Sequence, residues 1–141
     1  MRIFIDANVF YAAIYSSTGA SRQIILMGIL GEVTLVVSRL ILEEVERNLT
    51  NKAPETLPIF RQFVDAVPFE IVEPTRREVM EAMEYVVLKD APVVAAARRA
   101  KVDYLVSLDR KHLVGKPDIE DRSGLKIILP EQMLSHLRSS E

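Results

Sequence analysis

Two aspartates follow two apolar segments at the points where strands are expected to end. Asp6 comes directly after Ile3-Phe4-Ile5, and Asp109 lies two residues beyond the segment 104–107. In a parallel α/β sheet the carboxyl ends of the strands meet at one edge, where ligands bind. A single aspartate there is commonly a turn former or a helix cap. Two at the ends of two strands predict a shared site.

Asp90 stands immediately before Ala91-Pro92, where a helix is predicted to begin. Aspartate is a favoured helix cap, and proline in the first turn costs no hydrogen bond. Taken alone, Asp90 is predicted to cap this helix, with its side chain accepting hydrogen bonds from free backbone N–H groups. That role is compatible with a site at the same edge, because one carboxylate oxygen can face the backbone and the other a metal ion.

The helix after the second strand is expected to bring one of its glutamates to the same edge. At roughly 100° per residue, Ile41, Val45 and Leu49 form the inward stripe of this helix. Glu44 falls about 60° from Ile41, at the border of the stripe, whereas Glu43 falls on the opposite side. Glu44 is therefore expected to reach the cleft and Glu43 to be solvated.

Four carboxylates at one edge of a sheet repel one another unless a cation lies among them. The chain has no cysteine and 2 histidines, and oxygen ligands suit hard ions such as Mg²⁺ or Mn²⁺. Such a cluster is typical of phosphodiester hydrolysis, in which one ion activates a water and a second, ~3.5–4 Å away, stabilises the leaving oxygen. Asp6 and Asp109 are expected to hold the ions, with Glu44 and Asp90 completing the ligand set.

Short apolar strands alternate along the chain with segments of helical period. The predicted strands are residues 2–6, 33–37, 69–72, 104–107 and 126–129. The predicted helices are residues 8–15, 21–30, 39–49, 55–66, 75–87, 91–101 and 130–138. Residues 118–121 are predicted to lie in a solvated loop. This alternation predicts an α/β fold of three layers, α/β/α, with a central, mainly parallel five-stranded sheet.

The composition fits one soluble domain that spans residues 1–141, with 49% hydrophobic and 27% charged residues. Without cysteine, disulfides and thiolate chemistry are excluded, and the cytoplasm is the expected location. No apolar run reaches the roughly 18 residues that a membrane span needs, so no membrane association is expected. The net charge of -2 argues against a protein that simply coats nucleic acid. A nuclease whose clustered acids bind cations is compatible with that charge.

The segments that contain these acids resemble, in order, the four motifs of PIN domains. The motifs are Ile3-Phe-Ile-Asp6-Ala-Asn8-Val, Ser38-Arg-Leu-Ile-Leu-Glu-Glu44-Val, Lys89-Asp90-Ala-Pro-Val-Val-Ala-Ala and Tyr104-Leu-Val-Ser107-Leu-Asp109. Order and spacing agree over residues 2–113. Ala7 stands where the family often has Thr or Ser, and Lys111 and His112 stand where many members have another Asp.

The resemblance implies a metal-dependent endoribonuclease, often the toxin of a toxin–antitoxin pair of the VapC kind. It assigns the family's metal-binding and catalytic acids to Asp6, Glu44, Asp90 and Asp109. Asn8 and Ser107 match polar residues that orient the acids or waters. The implied partners are an RNA substrate, an antitoxin protein and a second copy of the chain in a homodimer.

Basic residues near the proposed edge are candidates for contacts with RNA phosphates. They are Arg22, Arg39, Lys89, Arg110 and Lys111. Arg98, Arg99 and Lys101 stand at a helix C-terminus, where cations complement the helix dipole. His112 is expected to be a surface residue rather than a metal ligand.

Two other classes of function remain open. A catalytically inactive PIN-like module that binds RNA or a protein would share the fold, but retention of all four acids argues against it. A receiver-like phosphoacceptor domain would need paired acids at the first strand and a lysine at the end of the last. Ile5-Asp6-Ala7 and Leu129-Pro130 supply neither.

Overall fold

The computed structural model describes residues 1–139, which form a five-stranded sheet and eight α-helices. The strands are β1 (Arg2–Ile5), β2 (Thr34–Val37), β3 (Glu70–Ile71), β4 (Tyr104–Val106) and β5 (Ile127–Ile128). The helices are α1 (Ala7–Tyr15), α2 (Ala20–Ile29), α3 (Arg39–Lys52), α4 (Leu57–Ala66), α5 (Arg76–Ala82), α6 (Ala91–Ala100), α7 (Pro117–Ser123) and α8 (Pro130–Ser139). A 3-10 turn, Pro54–Thr56, joins α3 to α4.

Strand β1 lies at the centre of the sheet, whose order is β3-β2-β1-β4-β5. Every neighbouring pair is parallel. Ile5 at the end of β1 is in register with Val106 at the end of β4. The next residues, Asp6 and Ser107, therefore leave the sheet side by side, and the N–H of Asp6 donates to the Val106 carbonyl at 3.1 Å.

Helices cover both faces of the sheet. Ile3, Phe4 and Ile5 are all 0% exposed, although successive side chains of a strand point to opposite faces. Helices α1, α2, α4 and α8 pack together, and α5 packs against α6. The predicted α/β/α fold with a central parallel five-stranded sheet is confirmed.

Several helix boundaries follow the caps that the sequence contains. The Ser38 hydroxyl accepts a hydrogen bond of 3.2 Å from the Ile41 N–H at the start of α3. Thr75 and Glu78 form a reciprocal capping box at the start of α5. The predicted extension of α5 to residue 87 is wrong, because the N–H groups of residues 84 and 85 bond to carbonyls only three residues back. Such bonds tighten the chain into turns after Ala82.

Residues 117–123 form helix α7 rather than the predicted solvated loop. Pro117 occupies its first turn, together with Asp118 and Glu120. Gly124 ends the helix with φ 76°, in the left-handed region that favours glycine. Proline and acids at the start and glycine at the end are helix signals, so the sequence contained the information that the loop interpretation overlooked.

The apolar run of residues 24–30 covers the end of α2 and its C-cap, Leu30, and is divided between core and surface. Ile24 and Ile25 are wholly buried, whereas Leu30 is 71% exposed. Gly28 allows close packing on β2, since a Cβ there would lie 2.5 Å from Leu35 Cδ1. Within residues 1–139, neither this helix nor any other combines the length and apolar character needed to cross a lipid bilayer.

Candidate metal centre at the carboxyl edge of the sheet

The four predicted acids line one pocket, beyond the carboxyl ends of β1 and β4. The pocket has a volume of about 340 Å³. Its lining residues are Asp6, Ala7, Asn8, Tyr11, Glu44, Lys89, Asp90, Val93 and Asp109. The structure thus brings together acids from four separate segments of the chain.

Helix α3 presents Glu44 to this pocket and Glu43 to a different surface. Ile41 and Val45 are buried, so the inward stripe has the predicted phase. Glu43 lines a separate depression together with Asp65 of α4. Glu44 is exposed while it lines the acidic pocket, which places it at the mouth.

Asp6 is buried, and both of its carboxylate oxygens accept hydrogen bonds. Oδ1 accepts from the Ala7 N–H and Oδ2 from the Ser107 hydroxyl, each at 2.8 Å. Burial raises the pKa of Asp6, and the bonds from Ser107 and Ala7 counteract that rise only in part. The negative charge of Glu44 raises the pKa further. The Asp6 carboxylate is therefore fixed in orientation and surrounded by negative charge.

Asn8 and Ser107 connect Asp6 to Asp109. The Asn8 amide donates to Ser107 Oγ at 3.2 Å, and Asn8 Oδ1 accepts from the Leu108 N–H at 3.0 Å. Ser107 Oγ also accepts from the Asp109 N–H at 3.1 Å. Both residues therefore lie between the two acids and are hydrogen-bonded to them or to their backbone.

Asp90 precedes α6 as predicted, but its side chain makes no capping hydrogen bond. Its backbone is already helical, with φ -96° and ψ -12°, rather than in the extended conformation typical of a capping residue. The side chain is 9% exposed, and Oδ2 is buried without a hydrogen-bond partner. Burial, and then the charges of Asp109 and Asp6, raise the pKa of Asp90 to about 6.

Asp109 contacts His112, which was predicted to be a surface residue and is half-buried in the structure. The His112 N–H donates to Asp109 Oδ1 at 2.9 Å, and its Nδ1 lies 3.4 Å from Asp109 Oδ2. The His112 side chain is only 28% exposed. Burial raises the pKa of Asp109, but the His112 N–H and the charges of His112 and Lys89 outweigh it, so the pKa is lowered.

A close group of ligand atoms among residues 1–139 differs from the expected pair, Asp6 and Asp109. One ligand atom from each of Asp90, Asp109 and His112 lies within 4.8 Å of the others. Asp6 and Glu44 line the same pocket around this group. The spacing of three residues between Asp109 and His112, which places two side chains on one side of a helical turn, was the signal that could have identified His112.

Tyr11 also lines the pocket, and the sequence interpretation missed it. It lies one helical turn after Ala7, and both line the pocket. Its hydroxyl accepts a hydrogen bond of 2.8 Å from the Asn48 amide of α3. This bond holds α1 against the helix that presents Glu44.

The five predicted phosphate-binding residues divide into two groups. Lys89 lines the pocket, and Arg110 and Lys111 are exposed on the turn that follows Asp109. The other two, Arg22 and Arg39, are engaged elsewhere.

Arg22 contacts the C-terminal end of α1, where Nε donates to the Ala13 carbonyl at 2.6 Å. Its guanidinium also lies over the Phe63 ring, 5.1 Å from the centroid. Arg39 forms an exposed ion pair of 3.2 Å with Glu73. The placement of Arg22 beside the site is therefore wrong, since Asp6 lies at the opposite end of the same helix.

Comparisons with known proteins agree with the predicted family and fold. The family model described as PIN domain matches residues 2–111. The crystal structure of PAE2754 from Pyrobaculum aerophilum is similar with a TM-score of 0.68 and 17% identity, covering 99% of this chain and 90% of that one. The crystal structure of VapBC2 from Rickettsia felis bound to a DNA fragment from their promoter is similar with a TM-score of 0.65 and 13% identity, covering 92% and 98%. Curated proteins give no significant match.

Proposed function

Since the chain belongs to the PIN domain family, we propose that it is a metal-dependent endoribonuclease that hydrolyses RNA phosphodiester bonds. The reaction is assigned to the pocket of Asp6, Glu44, Asp90 and Asp109. The observation that supports this most directly is Asp90 Oδ2, which is buried among other acids without a hydrogen-bond partner. Burial of an unpaired carboxylate is costly, and a bound cation would offset that cost.

The residues of the pocket fit a divalent cation. Asp90 and Asp109 offer oxygen atoms close together, and Asp6 and Glu44 add negative charge around them. Lys89 is the one basic residue among those that line the pocket. Carboxylate oxygens suit Mg²⁺ and Mn²⁺, which are the ions proposed here.

A divalent cation at such a cluster supplies the Lewis acidity that phosphodiester hydrolysis requires. The chain's own contribution is to fix the acids before substrate arrives. Ser107 and the Ala7 N–H hold the Asp6 carboxylate, and the His112 N–H holds that of Asp109. Preorganised groups of this kind need no rearrangement as charge develops on the phosphate.

Basic residues at the rim are proposed to bind the RNA backbone. Lys89 is exposed and lines the pocket, so its ammonium can reach a phosphate beside the scissile bond. Arg110 and Lys111 extend this positive charge along the following turn. Phosphate contacts supply affinity without reading sequence, which suits a nuclease whose specificity lies in RNA shape or in other contacts.

Cleavage of a mixed RNA pool by the purified chain tests this function. With Mg²⁺ or Mn²⁺, the parent should cut RNA, and chelation by EDTA should stop it. Asp90→Asn should abolish cleavage, because it removes a charged ligand while keeping the shape of the side chain. The matched control is Asp121→Asn, which changes an exposed aspartate of α7 and should cut like the parent.

Two results would contradict the proposal. The parent could bind RNA and leave it uncut with Mg²⁺ and also with Mn²⁺. That result would favour a catalytically inactive module that binds RNA. Equal cleavage by the parent and Asp90→Asn would show that the activity belongs to a contaminating nuclease or to another site.

We also propose that the nuclease is the cytoplasmic toxin of a toxin–antitoxin pair, with an antitoxin protein as partner and a homodimer as its assembly. The structural likeness to VapBC2 supports this context. Induced expression should slow growth, and co-expression of a small neighbouring reading frame should restore it. Unchanged growth would contradict the toxin role without affecting the RNA-cleavage result. Light scattering measures the oligomeric state.

A further inference from the structure

Asp90 and Asp109, two carboxylates that line the acidic pocket, both lie close to the imidazole of His112. His112 Nδ1 lies 3.4 Å from Asp109 Oδ2 and 3.9 Å from Asp90 Oδ2. The three ligand atoms lie within 4.8 Å of one another. A single ion can therefore be shared by side chains from the start of α6 and from the turn after β4.

The backbone holds the His112 ring toward the two acids. The Leu113 and Val114 N–H groups both bond to the Asp109 carbonyl, at 3.1 and 2.9 Å, which closes a tight turn. Leu113 is 0% exposed and anchors that turn in the core. The N–H of His112 is itself bonded to Asp109 Oδ1, so ring and carboxylate lie on the same side of the turn.

Asp90 supplies an independent indication that a ligand belongs there. Its side chain is more than nine-tenths buried, and its Oδ2 has no hydrogen-bond partner. The 3.9 Å between this oxygen and His112 Nδ1 is too long for a hydrogen bond. A metal ion between Asp90 Oδ2 and His112 Nδ1 could bind both atoms, which lie 3.9 Å apart.

We infer that His112 is a metal ligand, together with Asp90 and Asp109, and that the site prefers a first-row transition ion over Mg²⁺. This inference rests on the proposed function and specifies the cation of the same site. Imidazole nitrogen is a good ligand for transition ions, whereas Mg²⁺ is bound almost wholly by oxygen. The chain thus has a nitrogen ligand three residues after Asp109 in place of a further carboxylate.

Electron paramagnetic resonance of Mn²⁺ bound to the full chain tests this ligand set. The signal of free aqueous Mn²⁺ measures affinity, and pulsed spectra report nitrogen coupled to the bound ion. The parent should show imidazole coupling. His112→Ala should lose it and bind Mn²⁺ about tenfold or more weakly, by analogy with the loss of groups that support a metal site. Its affinity for Mg²⁺, measured by competition, should change much less.

Two variants provide matched controls. His136, the other histidine, stacks on Tyr104 at the start of β4, the edge of the sheet opposite the site. His136→Ala should therefore keep the parent spectrum and affinity. His112→Asp should still bind an ion, without nitrogen coupling and with preference shifted toward Mg²⁺. In case His112→Ala does not fold, ¹⁵N-histidine labelling of His136→Ala decides the matter, because the coupling must change with the isotope.

The outcomes separate this inference from the function on which it rests. Mn²⁺ bound by the parent without imidazole coupling would overturn the role of His112, and the acidic centre would stand. If the parent and Asp90→Asn bound Mn²⁺ with the same affinity, the proposal of a metal centre at these acids would itself be contradicted.

Discussion

Ser107 and Asp6 are 101 positions apart in the chain, and the hydroxyl of one donates a hydrogen bond of 2.8 Å to Oδ2 of the other. The bond joins the carboxyl ends of β4 and β1. Ser107 is 0% exposed, so water cannot replace the hydroxyl as a donor. The orientation of a proposed catalytic carboxylate thus depends on the pairing of two strands from opposite parts of the chain.

Replacement of Ser107 by alanine should lower kcat/KM for RNA cleavage by about 10–100-fold, as loss of groups behind metal ligands typically does. It should also cost about 1–3 kcal/mol of stability, because the Asp109 N–H loses its acceptor. Cleavage kinetics and thermal unfolding measure the two effects. Ser123→Ala is the control, since Ser123 is also buried and accepts from the Leu125 N–H at 3.1 Å. If Ser107→Ala and Ser123→Ala lost cleavage equally, the role of Ser107 would be structural only.

Neighbouring glutamates of α3 should differ sharply in their effect on activity. Glu44→Gln should reduce cleavage strongly because Glu44 lines the acidic pocket, whereas Glu43→Gln should leave it unchanged. Both side chains are exposed, so neither change should alter the melting temperature by much. If Glu44→Gln cleaved RNA as well as the parent, the assignment of Glu44 to the site would be wrong.

Asp90→Asn should make the metal-free protein more stable at neutral pH while removing activity. The raised pKa of about 6 means that protonation of Asp90 favours the folded state. The contribution of Asp90 to the stability of the metal-free parent should therefore be largest below pH 3.8. It should be lost as the pH rises through about 6. The loss is at most about 3 kcal/mol.

Unfolding of parent and Asp90→Asn in EDTA, compared from pH 4.5 to 8, measures this effect. The variant should lack the part of the pH dependence that Asp90 contributes. If the parent instead gained stability relative to the variant as the pH rises, the pH dependence would have the opposite sign. Ionisation of Asp90 in the folded protein would then cost little free energy.

Lys89→Gln should weaken RNA binding and make it less sensitive to salt. Removal of one phosphate contact should reduce the slope of log K against log salt by roughly 0.7–0.9. Lys126→Gln is the control, because Lys126 lies over the Tyr104 ring at the other edge of the sheet. Binding titrations at several salt concentrations measure the slopes, and identical slopes for the two variants would contradict the assignment of Lys89.

Properties that depend on the local sequence pattern could be predicted from the sequence. All five strands were predicted correctly because strands buried on both faces are short apolar runs. The phase of α3 was predicted correctly because burial along a helix repeats every 3.6 residues. The separation of Glu44 from Glu43 follows from that phase alone. The expected parallel direction of the strands, inferred from the alternation of strands and helices, placed Asp6 and Asp109 at one edge.

Properties that depend on contacts between distant segments could not be predicted in this way. Whether Asp90 caps α6 depends on its ψ angle, which the preceding turns determine. The position of His112 depends on a turn anchored by Leu113 in the core. Arg22 was misplaced because the sequence does not show that Ala13 and Phe63 lie within reach of its guanidinium.

The central position of β1, paired on one side with β4, has a consequence during synthesis of the protein. Asp6 leaves the ribosome before its partners Ser107 and Asp109, since Ser107 follows it by 101 positions. A growing polypeptide therefore has no assembled centre, and the proposed nuclease activity can arise only once β4 has emerged and joined the sheet.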